Sequence, residues 1–178
     1  SPKEVYHGFW GKFNQSKKFP ELAAKEPRMY FTFKTNEGEK IKIKIALSSV
    51  STAGALNNMQ VETPGWDFQT IKKQGQDLWN KELNKIVIDA GKEEKGNFYT
   101  AMYHAFINPT IYMDEDGSYK GLDQNIHQAK GFTNYTTLSL WDTYRALHPL
   151  FNIIQPKPNG YMIKSMLAHY DQGTFHIL

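Results

Sequence analysis

Hydrophobic and polar positions alternate most strictly in the stretch "IKIKIAL". Ile41, Ile43, Ile45 and Leu47 fall on one side and Lys40, Lys42 and Lys44 on the other. That period of two marks a strand with one buried face. The preceding "MYFTFK" and the turn residues Asn36 and Gly38 complete a predicted hairpin over Met29–Leu47. The pattern then changes to helical. "STAGALNNMQVET" is stopped by Thr63-Pro64-Gly65. From Asp67, a candidate cap, to about Asn84, Phe68, Ile71, Leu78, Trp79 and Leu83 share a helix face. A short strand "KIVID" and a polar loop "GKEEKGN" follow, and Asn97 is the candidate cap of the next helix. "FYTAMYHAFI" is apolar nearly all round, which predicts deep burial with His104 as a hydrogen-bonded core residue, and Asn108-Pro109 ends the helix.

Residues 111–138 read as irregular β structure around an "EDG" turn. A helix then starts with Ser139 as candidate N-cap, Pro149 makes a break or a second helix start, and "QPKPNG" reads as a turn. The last helix, "YMIKSMLAHYD", buries Met162, Ile163, Met166 and Leu167, and the chain closes on the apolar "FHIL". Residues 1–27 carry no clear pattern; "KKFPELAAKEP" is short helix or loop. The resulting order is β first and α later, an α+β chain.

Composition narrows the possible chemistry. Hydrophobic content of 40% and charged content of 22% place the chain of 178 residues among globular proteins. Aromatic content of 14% supplies core volume and also flat faces for stacking on sugars, bases or peptides. A formal net charge of +3, with thinly spread lysines, argues against nucleic-acid binding. The chain has no cysteine, which excludes disulfides, thiolate metal sites and cysteine nucleophiles. No apolar run is long enough to span a membrane, and no signal peptide is visible. The start, Ser1-Pro2-Lys3, lacks a Met and reads as processed or as part of something longer.

Most candidate sites reduce to structural features. Asp114, Asp116, Gly117 and Asp123 hint at a calcium loop, but the EF-hand pattern needs Gly where Tyr119 stands and Glu where Asn125 stands. A β-turn at Glu115-Asp116-Gly117 fits better. The six histidines form no HExxH or HxH motif, and no GxSxG elbow or phosphate-binding glycine loop is present. The best cluster is Trp141, Asp142 and Arg145 in "SLWDTYRALHP". Asp142 and Arg145 are three apart on one helix face and could form a plain surface ion pair. A Trp platform beside a carboxylate and a guanidinium equally suits a polyhydroxylated ligand, with Leu140, Leu147 and Leu150 packing the helix from behind.

Six stretches together carry a resemblance: "ETPGWDF" (Glu62–Phe68), "LWNKELNKI" (Leu78–Ile86), "FYTAMYHAFINP" (Phe98–Pro109), "DEDGSYKGLD" (Asp114–Asp123), "YTTLSLWDTYRALHPL" (Tyr135–Leu150) and "MLAHYDQ" (Met166–Gln172). In order and spacing, over about residues 28–178, the chain resembles glycoside hydrolase family 92, the bacterial calcium-dependent exo-acting α-mannosidases. The resemblance implies the C-terminal part of a β-sandwich over residues 1–48, linker helices over 49–93, and the first part of an (α/α)6 catalytic barrel over 94–178. It implies a fragment of an inverting mannosidase, acting on mannose-containing glycans and preferring α-1,2 linkages. The parent's acid, base and calcium ligands would lie beyond this chain, so the fragment alone should be inactive. Substrate-holding roles carry over to Trp141, Asp142 and Arg145, with Trp66 and Gly65 as contributors near the domain junction. A periplasmic or secreted location follows from the family. The alternatives are a non-catalytic carbohydrate-binding module, or a structural domain that oligomerises through exposed barrel helices.

Overall fold

The structure, a computed structural model, describes residues 5–12 and 25–173, with side chains from Thr32 onward. The chain divides into two compact units, residues 1–42 and 43–178. In the first, β1 (Val5–Lys12) pairs antiparallel with β2 (Lys25–Thr32), Val5 opposite Thr32 and Lys12 opposite Lys25. Aromatic residues suit β1 to a pleated surface. Pro27 is tolerated in β2 because both strands of a two-stranded ribbon are edges.

This corrects the predicted hairpin. Met29–Thr32 are strand, but their partner is β1, and Ile41–Leu47 join no ladder among the described residues. The turn at Asn36–Glu39 does form, with the Glu39 N–H donating to the Asn36 carbonyl at 3.2 Å. Ile43, Ile45 and Leu47 are exposed. Alternation prescribes a strand's faces but not its partner, and no described strand runs alongside. Of "KKFPELAAKEP", only residues 25–27 are described, and they lie in β2; the closing "FHIL" lies outside the described residues.

The second unit opens with α1 (Thr52–Glu62). Ser51 caps it by accepting the Gly54 N–H at 2.9 Å. α2 (Phe68–Leu83) is capped by Asp67 as predicted, which accepts from the Gln69 N–H and the Thr70 hydroxyl. Its apolar stripe is real but only partly covered: Ile71 and Leu83 are half-buried, while Phe68 and Leu78 are exposed and no residue of the helix is fully buried. "KIVID" keeps its in–out alternation without becoming a strand. Instead the Tyr99 hydroxyl takes the Ile86 carbonyl at 3.2 Å.

α3 (Lys92–Ile107) begins earlier than the Asn97 cap predicted, on Gly91. Glu93 and Glu94 sit in its first turn, where a helix favours negative charge. Only Met102 is buried in α3, and His104 is exposed, so the expectation of a helix buried all round is also corrected. Asn108 ends α3 as predicted. The irregular β region resolves into β3 (Thr110–Ile111), β4 (Ser118–Lys120), β5 (Ile126–Gln128) and β6 (Tyr135–Thr136), paired β3–β6 and β4–β5. The "EDG" turn forms, closed by the Gly117 N–H on the Asp114 carbonyl at 2.8 Å.

The segment from Ser139 does divide into two helices, but ahead of Pro149. α4 (Leu140–Thr143) is a single turn, and α5 (Leu147–Ile154) starts after a break at Tyr144–Ala146. Pro149 lies inside the first turn of α5, where its missing N–H has no helical partner to lose. The same reason lets "QPKPNG" become the start of α6 (Pro156–Gln172) rather than a turn. The core is small: Phe151, Met162 and Met166, enclosed by Phe106, Tyr135, Leu138, Leu140, Leu147 and Ile154. Ile163 and Leu167 stay exposed against expectation. A polar clasp holds the end of α2 to the α5–α6 junction: the Lys85 ammonium donates to Glu82 at 2.6 Å and to Gln155 at 2.8 Å.

Candidate functional site

The Ser139–Arg145 segment is launched from an anchored strand. The Ser165 hydroxyl, fully buried on α6, accepts the Tyr135 N–H at 2.9 Å and donates to the Tyr161 carbonyl at 2.9 Å. β6 is also paired with β3, Thr136 opposite Thr110. Directly after it, Thr137 adopts φ 63°, in the left-handed region that a β-branched residue rarely enters. This redirects the chain so that Leu140 packs toward the core while Trp141 projects outward with 82% of its surface exposed.

Within the segment, Asp142 and Arg145 do not pair. Asp142 Oδ2 accepts the Ser139 hydroxyl at 2.6 Å. Arg145 Nε donates to the Tyr144 hydroxyl at 2.7 Å, and its guanidinium carbon lies 5.6 Å from the Tyr144 ring centre. Among the described residues, Asp142 Oδ1 and the Arg145 Nη atoms make no hydrogen bond. The trio is thus an exposed indole, a carboxylate oxygen open to a donor, and a guanidinium edge open to an acceptor.

Gly65 and Trp66 occupy a different place, the exposed turn between α1 and α2. The Lys44 ammonium stands over the Trp66 ring at 4.6 Å and also donates to the Thr63 carbonyl. One indole face is therefore already covered by a cation.

The structure brings together groups that sequence reasoning left apart. Asp114 is buried, and its carboxylate accepts from the Ser48 hydroxyl at 2.6 Å and from Asn58 Nδ2 at 2.9 Å. Asn58 Oδ1 in turn accepts the Glu115 N–H at 2.9 Å. At the β4–β5 tip, Asp123 accepts from the Asn125 side chain at 2.9 Å, and His127 Nε2 lies 3.0 Å from each of its oxygens. The Asn125 amide first, and the imidazole with it, hold Asp123 below the usual carboxylate range. The only signal for this cluster was the Asp-x-Asn-x-His spacing; nothing local announced the Asn58–Asp114 contact.

Neither cluster fits a calcium site. The Asp114 oxygens are taken by Ser48 and Asn58, those of Asp123 by Asn125 and His127, and Asp116 accepts the Ser118 N–H at 2.8 Å. No group of three or more His, Cys, Asp or Glu among the described residues could hold a metal. A cavity of about 530 Å³ lies elsewhere, lined mainly by apolar side chains such as Leu78, Trp79, Phe106, Tyr135 and Met162. None of the five sequence-derived site residues lines it. Burial there pushes the Tyr135 phenol up. No helix among the described residues is long and apolar enough to cross a membrane.

Comparison with known proteins places this arrangement. Residues 54–177 match the glycosyl hydrolase family 92 catalytic domain. The chain is similar to a family GH92 α-mannosidase of Bacteroides thetaiotaomicron, with 51% identity and a TM-score of 0.71 over 74% of this chain and 18% of that one. The same enzyme solved in complex with mannoimidazole gives 50% identity and a TM-score of 0.71, covering 74% and 17% of the two chains. Another GH92 family glycosyl hydrolase matches at 30% identity and a TM-score of 0.66, covering 70% of this chain and 17% of that one. The chain thus spans less than a fifth of the length of these relatives. No curated protein matches it. The stretch from the first turn of α1 through α6, with its mixture of helices and short strands, belongs to glycosyl hydrolase family 92.

Proposed function

We propose that the chain is part of an exo-acting, inverting α-mannosidase and supplies one wall of its substrate site. Residues 1–48 would be the end of a β-sandwich, 49–93 the linker helices, and 94–178 the first part of an (α/α)6 barrel. The observation that carries the reading is the exposed Trp141 beside the open edges of Asp142 and Arg145, in a segment matched to the family's catalytic domain. An indole covers the apolar face of a sugar ring, and a carboxylate and guanidinium bind its hydroxyls. Trp66 and Gly65 would contribute from the α1–α2 turn. The relative solved with mannoimidazole supports a mannoside as ligand.

Inversion needs a general acid and a general base on opposite faces of the scissile bond. This reading assigns neither role to this chain and leaves the family's calcium ligands outside it. The 178-residue chain should therefore bind but not hydrolyse. Calorimetry with α-1,2-mannobiose should give saturable heat that Trp141→Ala abolishes. An absence of heat from the wild-type chain, or mannose release by it, would contradict the proposal. The reading also puts the protein in the periplasm or outside the cell, which fractionation of the source cells would check.

A second reading, association through uncovered helix faces, is favoured by the exposed Phe68 and Leu78 of α2. Sedimentation of a clean monomer at high concentration would remove it.

A further inference from the structure

Two stabilising arrangements were open to the Ser139–Arg145 segment, and the structure uses neither. Ser-x-x-Asp at a helix start is a variant of the capping box, in which the Ser oxygen accepts the N–H three residues on. Here the Asp142 N–H goes to the Ser139 carbonyl at 3.1 Å, and the Ser139 side chain makes no cap hydrogen bond. Its hydroxyl instead donates a hydrogen bond to Asp142 Oδ2. The second option was the Asp142–Arg145 ion pair at helical spacing. The chain leaves the helix at Tyr144, and Arg145 lies over the Tyr144 ring with Nε on the phenolic oxygen.

The result is two opposite charges kept apart, each tied at one edge. Ser139 fixes the rotation of the Asp142 carboxylate and leaves Oδ1 without a hydrogen bond among the described residues. Tyr144 takes the inner N–H of Arg145 and leaves the Nη edge, the part of a guanidinium suited to paired hydrogen bonds. A sugar that donates from one hydroxyl to the first and accepts at another from the second would satisfy both. The left-handed Thr137 lies just ahead of this segment, and backbone strain of that kind persists where surrounding structure over-determines it.

We propose that Ser139 and Tyr144 are positioning residues that fix Asp142 and Arg145 as separate partners for the hydroxyls of a mannoside. The inference rests on the mannoside-wall reading and deepens it. The test compares the wild-type chain with Ser139→Ala, Ser139→Thr and Tyr144→Phe, titrated with methyl α-mannoside and read by NMR at the Trp141 indole. Ser139→Ala and Tyr144→Phe should each weaken binding by about tenfold, the effect of losing one charge-assisted hydrogen bond. Ser139→Thr, which keeps the hydroxyl, should bind like the wild type. Hydrogen exchange at Arg145 Nε should be slowed in the wild type and fast in Tyr144→Phe. Wild-type binding with unweakened variants would overturn the positioning role and leave the mannoside reading standing. Equal Nε exchange in wild type and Tyr144→Phe would overturn it through a readout that needs no ligand. No saturable shift in the wild type would remove both the mannoside reading and this inference.

Discussion

Asn58 and Asp114, 56 residues apart, meet at 2.9 Å in the interior, Asn58 Nδ2 donating to Asp114 Oδ1. Asp114 Oδ2 is taken by Ser48, so α1 and the segment before it are both fastened to the β3–β4 connection by one carboxylate. Asp114→Ala should lower stability by about 2 kcal/mol, because the buried Asn58 amide loses one of its two acceptors and the half-buried Ser48 hydroxyl loses its own. Gly54→Ala should destabilise comparably, since a Cβ there would clash with Asp114 Oδ2. Urea unfolding of the two variants measures both effects.

Thr137 offers a test of stored strain. Glycine adopts φ 63° freely, whereas a β-branched residue does so only under constraint. Thr137→Gly should be neutral or stabilising by up to about 1 kcal/mol, the relief of strain being partly offset by a freer unfolded chain. Thr137→Pro cannot hold a positive φ and should lower the melting temperature sharply.

Gly121 marks the close packing of the β4–β5 tip. A Cβ at this position would lie 2.7 Å from Asp123 Oδ1, Gln172 Oε1 and His127 Cδ2 alike. Gly121→Ala should therefore displace the Asp123–His127 pair, visible as altered imidazole resonances of His127. In the wild type, Asp123 is held below the ordinary carboxylate value. Its contribution to stability is thus present above the unfolded value and is lost as pH falls through the lower folded one. A carboxyl NMR titration should place Asp123 among the more acidic aspartates.

His169 gives a second pH dependence. Burial lowers its folded value below the ordinary 6.5, so the folded state resists protonation. The unfolded state then binds more protons between the two values, and stability rises with pH across that interval. His169→Phe should flatten this part of the melting-temperature profile; an unchanged slope would assign the dependence to another group.

Local chemistry was legible in the sequence; its long-range partners were not. The Asp67 cap, the stop at Thr63-Pro64-Gly65 and the end of α3 at Asn108 are set by residues adjacent in the chain, and all three appear as expected. The starts of α3 and α6 are hidden in the sequence because first-turn residues look like loop residues. Glu93, Glu94, Pro156 and Pro158 all favour or tolerate a first turn, where N–H groups lack helical partners. Ile41–Leu47 shows the opposite failure, a strong strand pattern with no described strand to meet it. The Trp141–Asp142–Arg145 trio was found because it lies within five residues. Its orientation was not, since a helical reading pairs Asp142 with Arg145, and the break at Tyr144 separates them.

The measurement that bears most directly on the mannoside wall is a backbone and indole NMR titration of the labelled chain, with methyl α-mannoside and with methyl β-galactoside as control. The wall predicts saturable shifts centred on Trp141, Asp142 and Arg145 with the mannoside and none with the galactoside. Shifts absent from those three residues, or identical with both sugars, would contradict it.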